Sequence, residues 1–580
     1  IKNIFFKKIL LLIVFFFGGS LSQTFAQSIT IDAAITGSSW AANSNHTISW
    51  TSTSVSNVKI EYSTDNGSTW KIVTSTISSP NSYPWTVPNV ISSAKIKISD
   101  LASSNPATPS ISGTFSITAA VNTTLVRIMP LGNSITWGVT NSNPLTPGYR
   151  RSLYLQLTGA GYNFDFVGTR FSETMETDYD RDSEGHPGWY AGPPSYPDNQ
   201  TQDMSYHLNS FLTTNPPQII LLHIGTNDVG ESGSSYIKTA SQAGDAVNSL
   251  LDIIYNFNHD AVIFLAQIID DADLRTVLDS AHWSSTIHQK TLDFNNYLSS
   301  IVLPSRPTNQ KIVLVDMYDS LGQNYWTPSN PYFDSQYDVH PNTAGYQRMA
   351  NVWFKVLTTV KSNVKIFLEG PYSSDTMGTT LKTAGLIPLN QPYNVAPWSY
   401  TGTESVTSIP PGVVDWVLLE LRTGAAASTT ESRRAAFLKS DGTIVDLDGV
   451  SEVTFSGVPL GVFDYYIVIK HRNHLAIMSA NPVTLSPNPT TLYDFTTGSV
   501  QYYGGNIGAK DLGSGMWGMI SGDGNGNGQV QNNDSENIWK PDNGSSGYKN
   551  SDFNLNGQVQ NNDNENYWKP NNGKGTYVPN

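Results

Sequence analysis

The stretch PLGNSITWG at 130–138 places Ser134 in a turn directly after an apolar run. A serine hydroxyl acts as a nucleophile when a base can take its proton and preorganised donors can hold the oxyanion that its attack creates. Further along, in order, come EGHPGW at 184–189, HIGTND at 223–228 and DVHPN at 338–342. Taken singly, Ser134 reads as a helix cap, Asp338 and His340 as a turn before proline, and Asn227 as a turn residue bonded to its own backbone. Together, four such blocks in this order are hard to attribute to chance.

The segments around these blocks have the grammar needed to bring them together. From about residue 123, apolar strand candidates at 125–129, 164–167, 218–224, 261–268 and 311–316 alternate with helix-period stretches near 148–157, 205–213, 235–255 and 286–301. A last helix is expected at 343–360, immediately after the DVHPN loop. This alternation implies a parallel sheet with helices on both faces, and active residues in the loops at the carboxyl ends of the strands. His223, inside the run QIILLHIG, reads as a buried strand histidine, and His186 as a residue that shapes its loop.

With Gly148-Tyr149-Arg150 opening the first long helix, and Gly345-Tyr346 with Met349-Ala350 in the last, the region 125–360 resembles the SGNH (GDSL-like) hydrolases. Within them it is most similar to carbohydrate esterase family three, the secreted acetylxylan esterases. The resemblance implies a flavodoxin-like three-layer α/β domain that cleaves O-acetyl esters through an acyl-enzyme, with no cofactor for catalysis. It makes Ser134 the nucleophile, His340 the general base and then acid, and Asp338 the carboxylate that orients the imidazole. The oxyanion donors it implies are the N–H of Ser134, the N–H of Gly188 and the side-chain amide of Asn227, with Gly185 an alternative to Gly188. The family usually has Asp immediately before the nucleophile; Asn133 stands there in this chain, keeping the size and capping ability but removing a charge. The aromatic side chains of Trp137, Trp189 and Tyr190, near the blocks, are expected to face a sugar carrying a short acyl group.

At 580 residues the chain is too long for one core, and about 150 residues per domain suggests about four domains. Residues 1–26 read as a secretory leader: Lys2, Lys7 and Lys8 precede an apolar run at 9–17, and Thr24-Phe25-Ala26 offers a cleavage site. That run is shorter than the ~20 residues needed to span a bilayer, and no later stretch is long and apolar enough. The expected location is therefore extracellular, or on the cell surface. Cysteine is absent, which excludes disulfides and thiolate chemistry. The formal charge of −14 disfavours nucleic acid as a partner.

On either side of the α/β region the pattern is β-rich. Residues 28–120 carry short alternating runs between turn signals, which suggests an immunoglobulin-like β-sandwich. Trp50, Trp70 and Trp85 in it are candidates for a sugar platform or for core packing. Residues 364–497 suggest a second β-sandwich whose role the residues do not reveal.

Within 515–580 a twelve-residue pattern, DGNGNGQVQNND from Asp523 to Asp534, recurs as DFNLNGQVQNND from Asp552 to Asp563. Each copy puts oxygen-bearing side chains at loop positions 1, 3, 5 and 12 and Gly at 6, the arrangement a hard cation such as Ca2+ needs. The candidate ligands are Asp523, Asn525, Asn527, Gln529 and Asp534, then Asp552, Asn554, Asn556, Gln558 and Asp563, the glutamines through main-chain carbonyls. Two carboxylates per loop imply weak affinity, suited to extracellular calcium. The pair resembles a dockerin module, which implies structural calcium and a cohesin-like or cell-surface partner.

The residues therefore favour a secreted esterase acting on acetylated plant polysaccharide. The alternatives are an inactive carbohydrate-binding or adhesion protein, and an esterase or lipase acting on other short-chain or lipid esters.

Overall fold

The computed structural model describes residues 27–41, 45–78, 81–87, 92–102, 106–118, 125–140, 143, 145–172, 174, 176–193, 202–230, 238–269, 284–321, 331–333 and 339–580. The leader expected at 1–26 and the carboxylate expected at Asp338 lie outside these residues. The chain divides into an N-terminal unit, built largely from residues up to 116, and a larger unit that runs to Asn580.

The N-terminal unit is all β. Ser28–Ile31 pairs antiparallel with Asn45–Thr53 in one sheet, and Asn57–Ser63 pairs with Lys71–Ser78 and with Ser92–Asp100 in another. Alternation along Ser92–Asp100 buries Ala94, Ile96 and Ile98 and leaves the intervening side chains more open. Trp50 and Trp85 are 3% and 7% exposed, so these two rings fill the core, while Trp70 carries the Lys97 ammonium 4.3 Å from its ring centroid.

The larger unit begins with the α/β domain. Strand β1 (Val126–Gly132) leads into the four-residue helix α1 (Ser134–Trp137), then α2 (Gly148–Gly159), β2 (Phe164–Phe166), β3 (Asp182–Gly185), α3 (Met204–Thr214) and β4 (Ile219–His223). The short helix α4 (Thr226–Gly230), then α5 (Ala240–Phe257), β5 (Val262–Ala266), α6 (Ser284–Tyr297), β6 (Lys311–Val315) and α7 (Thr343–Thr358) complete it. Strands β1, β4, β5 and β6 run parallel in that order, with β2 and β3 parallel to β1 on its other side. The order therefore reverses direction at β1, and the carboxyl ends of β1, β3 and β4 meet at that switch point, where open α/β sheets place their sites. Strands β4 and β5 are buried along their whole length, as continuous apolar runs covered on both faces must be. Helix α5 starts with a Thr239–Gln242 capping box and turns Val247, Leu250, Leu251 and Ile254 inward.

Helix α7 passes without a linker into a strand, Thr359–Ser362, that pairs antiparallel with Val453–Ser456. The region beyond it is organised by one eight-stranded sheet rather than two matched ones. One of its two ten-residue strands, Val413–Arg422, is buried at every position and therefore covered on both faces. One apolar core runs from Ile128, Leu221 and Phe264 of the α/β domain through Val417 and Phe463 of this β-module. Tyr162 Oη donates to Val458 O at 3.0 Å, Asn488 Nδ2 donates to Leu314 O at 2.9 Å, and Phe264 and Phe463 lie 6.3 Å apart by ring centroid.

The duplicated loops are built onto the same module. Asn473 Nδ2 donates to Asp552 O, Arg422 Nη1 to Pro579 O and Tyr548 Oη to Asp415 Oδ1. The two copies exchange equivalent bonds: Trp539 Nε1 donates to Gln560 O and Trp568 Nε1 to Gln531 O, both at 3.0 Å.

Candidate active site

Local sequence explains how the Ser134 turn forms. Gly132 ends β1 opposite His223, and a Cβ there would lie 2.1 Å from His223 O, so no larger residue fits between the strands. Asn133 is fully buried, and its Oδ1 accepts from Ile135 N at 3.0 Å, the N-cap bond that starts α1. Ser134 is the first residue of α1, so its own N–H has no intrahelical acceptor. Gly138 closes the turn at φ +100°, donating to Ser134 O at 2.9 Å.

His340 reaches this turn from the far end of the domain. Its Nε2 lies 2.8 Å from Ser134 Oγ, and both residues are half-buried. The loop that carries it is fixed on its other side by Asn342, whose Oδ1 caps α7 at Gly345 N and whose Nδ2 donates to Pro331 O. The bond is short enough for direct proton transfer between hydroxyl and imidazole.

The EGHPGW block forms the facing wall. Gly185, at the end of β3, pairs with Gly132, and His186 N donates to Gly132 O at 2.9 Å. Gly185 is buried under α1, where a Cβ would lie 2.6 Å from Trp137 N, whereas Gly188 is exposed with φ +80°. Asn227, in α4, donates from Nδ2 to Trp189 O at 2.8 Å, which places its amide on the same loop and leaves its second amide hydrogen outside that bond.

Two supports of this wall, Glu184 and Asp228, lie inside the EGHPGW and HIGTND blocks, but their partners are distant in sequence. Glu184 is fully buried; it accepts from Thr169 Oγ1 and holds His186 Nε2 at 2.8 Å, while the His186 ring stacks on Trp189 at 4.0 Å. Asp228, next to Asn227, is fully buried and accepts from Ala191 N and from Lys238 Nζ. The shaping role expected of His186 thus has a partner, Glu184, and the ND pair of HIGTND divides between the wall and its anchor. His223 is buried, neither ring nitrogen has a hydrogen-bond partner among the described residues, and desolvation lowers its pKa to about 4, so it is neutral.

Of the three rings expected to face a sugar, Trp137 and Tyr190 are instead buried, at 8% and 7% exposure. The Arg170 guanidinium sits 4.4 Å from the Trp137 ring centroid and the Lys238 ammonium 5.3 Å from that of Tyr190. Trp189 is half-buried.

The duplicated loops repeat bond for bond. Asp523 accepts from Asn527 N and Gly528 N, and Asp552 from Asn556 N and Gly557 N; Asp534 and Asp563 accept from Gln531 N and Gln560 N. Asn525, Asn527, Asn554 and Asn556 each turn Oδ1 onto the N–H two residues on. All four aspartates are buried, and burial pushes Asp523 up to about 7 and Asp552 up to about 6. Two buried carboxylates with amide oxygens fit a hard cation, which would relieve that desolvation. Among the described residues no group of three or more His, Asp or Glu side chains could hold a metal, so a cation here depends on amide and main-chain oxygens as well.

A strand-to-helix serine bonded to a histidine at the switch point of a parallel sheet has the geometry a nucleophilic hydrolysis would use. Consistent with it, residues 128–353 match the GDSL-like Lipase/Acylhydrolase family, and this part of the chain is an SGNH-type esterase/acylhydrolase domain. A multidomain esterase of Ruminococcus flavefaciens is 26% identical over 242 residues, which cover 40% of this chain and 28% of that protein. The chain thus spans little more than a quarter of that relative. Among solved structures, Est24, a carbohydrate acetylesterase from Sinorhizobium meliloti, is 14% identical, covering 39% of this chain and 96% of that one with a TM-score of 0.29. The native aryl esterase of M. smegmatis is 16% identical over the same shares, with a TM-score of 0.28. A carbohydrate esterase family 2 enzyme with its carbohydrate-binding domain, from Corynascus thermopiles (Myceliophthora fergusii), is 16% identical, covering 56% and 97%, with a TM-score of 0.23.

Among the described residues no helix is long and apolar enough to cross a membrane.

Proposed function

We propose that this protein is a secreted serine esterase that removes O-acetyl groups from plant cell-wall polysaccharide such as xylan. The observation that carries the reading is the 2.8 Å approach of His340 Nε2 to Ser134 Oγ. Ser134 Oγ attacks the acetyl carbonyl while His340 takes its proton. Ser134 N–H, Gly188 N–H and the Asn227 amide stabilise the oxyanion; the exposure of Gly188 and the burial of Gly185 favour Gly188 in that role. The intermediate collapses to an acetyl-serine and a sugar alkoxide that His340 protonates, and water repeats the sequence to release acetate. Asp338 is the residue that the likeness assigns to orient His340. The choice of a sugar ester rests on the block-by-block likeness to carbohydrate esterase family three.

In this reading the paired C-terminal loops hold Ca2+ and offer a docking face to a cohesin-like or cell-surface partner, with location outside the cell. Their ligands would be Asp523, Asn525, Asn527, Gln529 and Asp534, and Asp552, Asn554, Asn556, Gln558 and Asp563. The deciding experiment measures acetate released from acetylated xylan, pectin and chitin fragments by wild type and Ser134→Ala. Release from xylan that vanishes in the variant supports the proposal. No release from any glycan, with p-nitrophenyl acetate still cleaved, removes the carbohydrate assignment and leaves the esterase.

A further inference from the structure

Arg150 is fully buried, and all of its hydrogen bonds go to main-chain carbonyls. Nε donates to Thr136 O at 3.1 Å and Nη2 to Trp137 O at 2.9 Å, the two last carbonyls of the nucleophile turn α1. Nη1 donates to Arg181 O at 2.9 Å, one residue before β3 begins. Strand β3 then pairs with Gly132 and leads to Gly188. One planar side chain therefore holds the end of the nucleophile turn and the start of the strand that carries the facing wall.

Among the described residues no carboxylate lies within ion-pair distance of its guanidinium, and its direct partners are the three carbonyls. Asp180 is one acidic group nearby, and its two oxygens are taken by Phe166 N at 2.8 Å and Asp182 N at 3.1 Å. Asp182, whose carboxyl also feels the Arg150 charge, and Tyr149, Tyr179 and Tyr346 are the other titratable groups around it among the described residues. Burying a cation whose direct partners are all carbonyl dipoles is costly, and an apolar residue would fill the space at less cost if packing were the whole requirement. The approach that lets Arg150 reach α1 is itself built in: Gly148, which opens α2, lies so close to the end of α1 that a Cβ on Gly138 would fall 2.5 Å from Gly148 N.

We propose that Arg150 is a positioning residue that sets the Ser134 turn in register with the oxyanion wall, so that its loss is felt in turnover rather than in substrate binding. The inference rests on the ester-hydrolysis reading of this site. Lysine keeps the charge, but its single ammonium does not reproduce a planar fork spanning two segments.

The test measures kcat and KM for p-nitrophenyl acetate, with thermal unfolding, in wild type, Ser134→Ala, Arg150→Lys, Arg150→Met and Leu153→Ala. Leu153, fully buried in the same helix, serves as a packing control. Misplacement by about 1 Å costs about 100-fold; the expected result is a kcat about 10- to 100-fold lower in Arg150→Lys and lower still in Arg150→Met, KM within about threefold, and a near-normal kcat per folded Leu153→Ala. The inference is overturned if a folded Arg150 variant keeps its kcat within threefold, if the loss lies in KM, or if Leu153→Ala loses kcat equally. Failure of both Arg150 variants to fold also overturns it, since Arg150 would then determine the fold and not the site. An inactive wild type sinks the esterase reading itself; an active wild type with inactive Ser134→Ala and unaffected Arg150 variants sinks this inference alone.

Discussion

Asp228 Oδ1 and Lys238 Nζ meet at 2.6 Å beneath the wall that faces Ser134, with neither side chain more than 7% exposed. The pair anchors two segments of that wall, because Asp228 Oδ2 accepts from Ala191 N and Lys238 Nζ also donates to Gly192 O. Removing the cation alone strands a buried carboxylate, which costs about 3–5 kcal/mol. Lys238→Met is therefore expected to lower the unfolding midpoint sharply, and the double variant Asp228→Asn/Lys238→Met to recover part of the loss. Denaturant titrations of the three proteins check this; equal stability of the single and double variants would contradict it.

Ser134→Ala should fold as well as wild type, because the turn is held by the Asn133 cap and the Gly138 closure rather than by the serine hydroxyl. Its turnover of p-nitrophenyl acetate should fall by about 10³-fold or more, as loss of the nucleophile of a coupled set does. Substantial residual turnover at unchanged stability would take Ser134 out of the nucleophile role.

Asn133→Asp is expected to retain activity. The cap to Ile135 N uses Oδ1, which both side chains possess, and the Nδ2 that would be lost has no hydrogen-bond partner among the described residues. A kcat/KM within about tenfold of wild type is the expected outcome, and a loss as deep as that of Ser134→Ala would refute the argument.

Stability should fall with acid partly through His223. Its pKa is near 6.5 when unfolded and about 4 when folded, so between those values the unfolded chain binds the proton that the folded chain refuses. Stability from this group is present above pH 6.5 and is lost as pH drops toward 4, by about 3 kcal/mol in all. His223→Leu should remove that part of the pH dependence. Parallel slopes for wild type and variant in denaturant titrations across pH 4 to 6.5 would rule the residue out.

Millimolar calcium should raise the unfolding temperature of the full-length protein, and chelation should lower it. Asp523→Ala and Asp552→Ala should each reduce the rise, because each removes one of only two carboxylates in its loop. Calcium leaving all three proteins unchanged would exclude a cation role for the loops.

The four motif blocks were legible because each is local: an apolar strand, a turn and a capped helix write themselves into a few adjacent residues, as around Ser134 and Asn342. Their order along the chain also suited a parallel sheet, whose strands deliver their loops to one edge. Other features depend on distant partners and leave no local pattern. Nothing near Glu184 announces Thr169, and nothing in Gly148-Tyr149-Arg150 announces Arg181 O as a partner. Trp137 and Tyr190 misled because an aromatic beside a site looks the same in sequence whether its face is open or covered by Arg170 or Lys238. The β-module was readable as β, but its organisation by one broad sheet follows from long-range pairing.

The seamless passage from α7 into Thr359–Ser362 has a practical corollary. The hydrolase has the β-module for its floor: Ile219 and Val262 of the central strands rest against Gly461, and Tyr162 is tied to Val458. Excising the enzyme at residue 360, as one would a bead from a string, would lay a greasy underside open to water. The smallest piece worth expressing therefore reaches past the whole sheet that supports it.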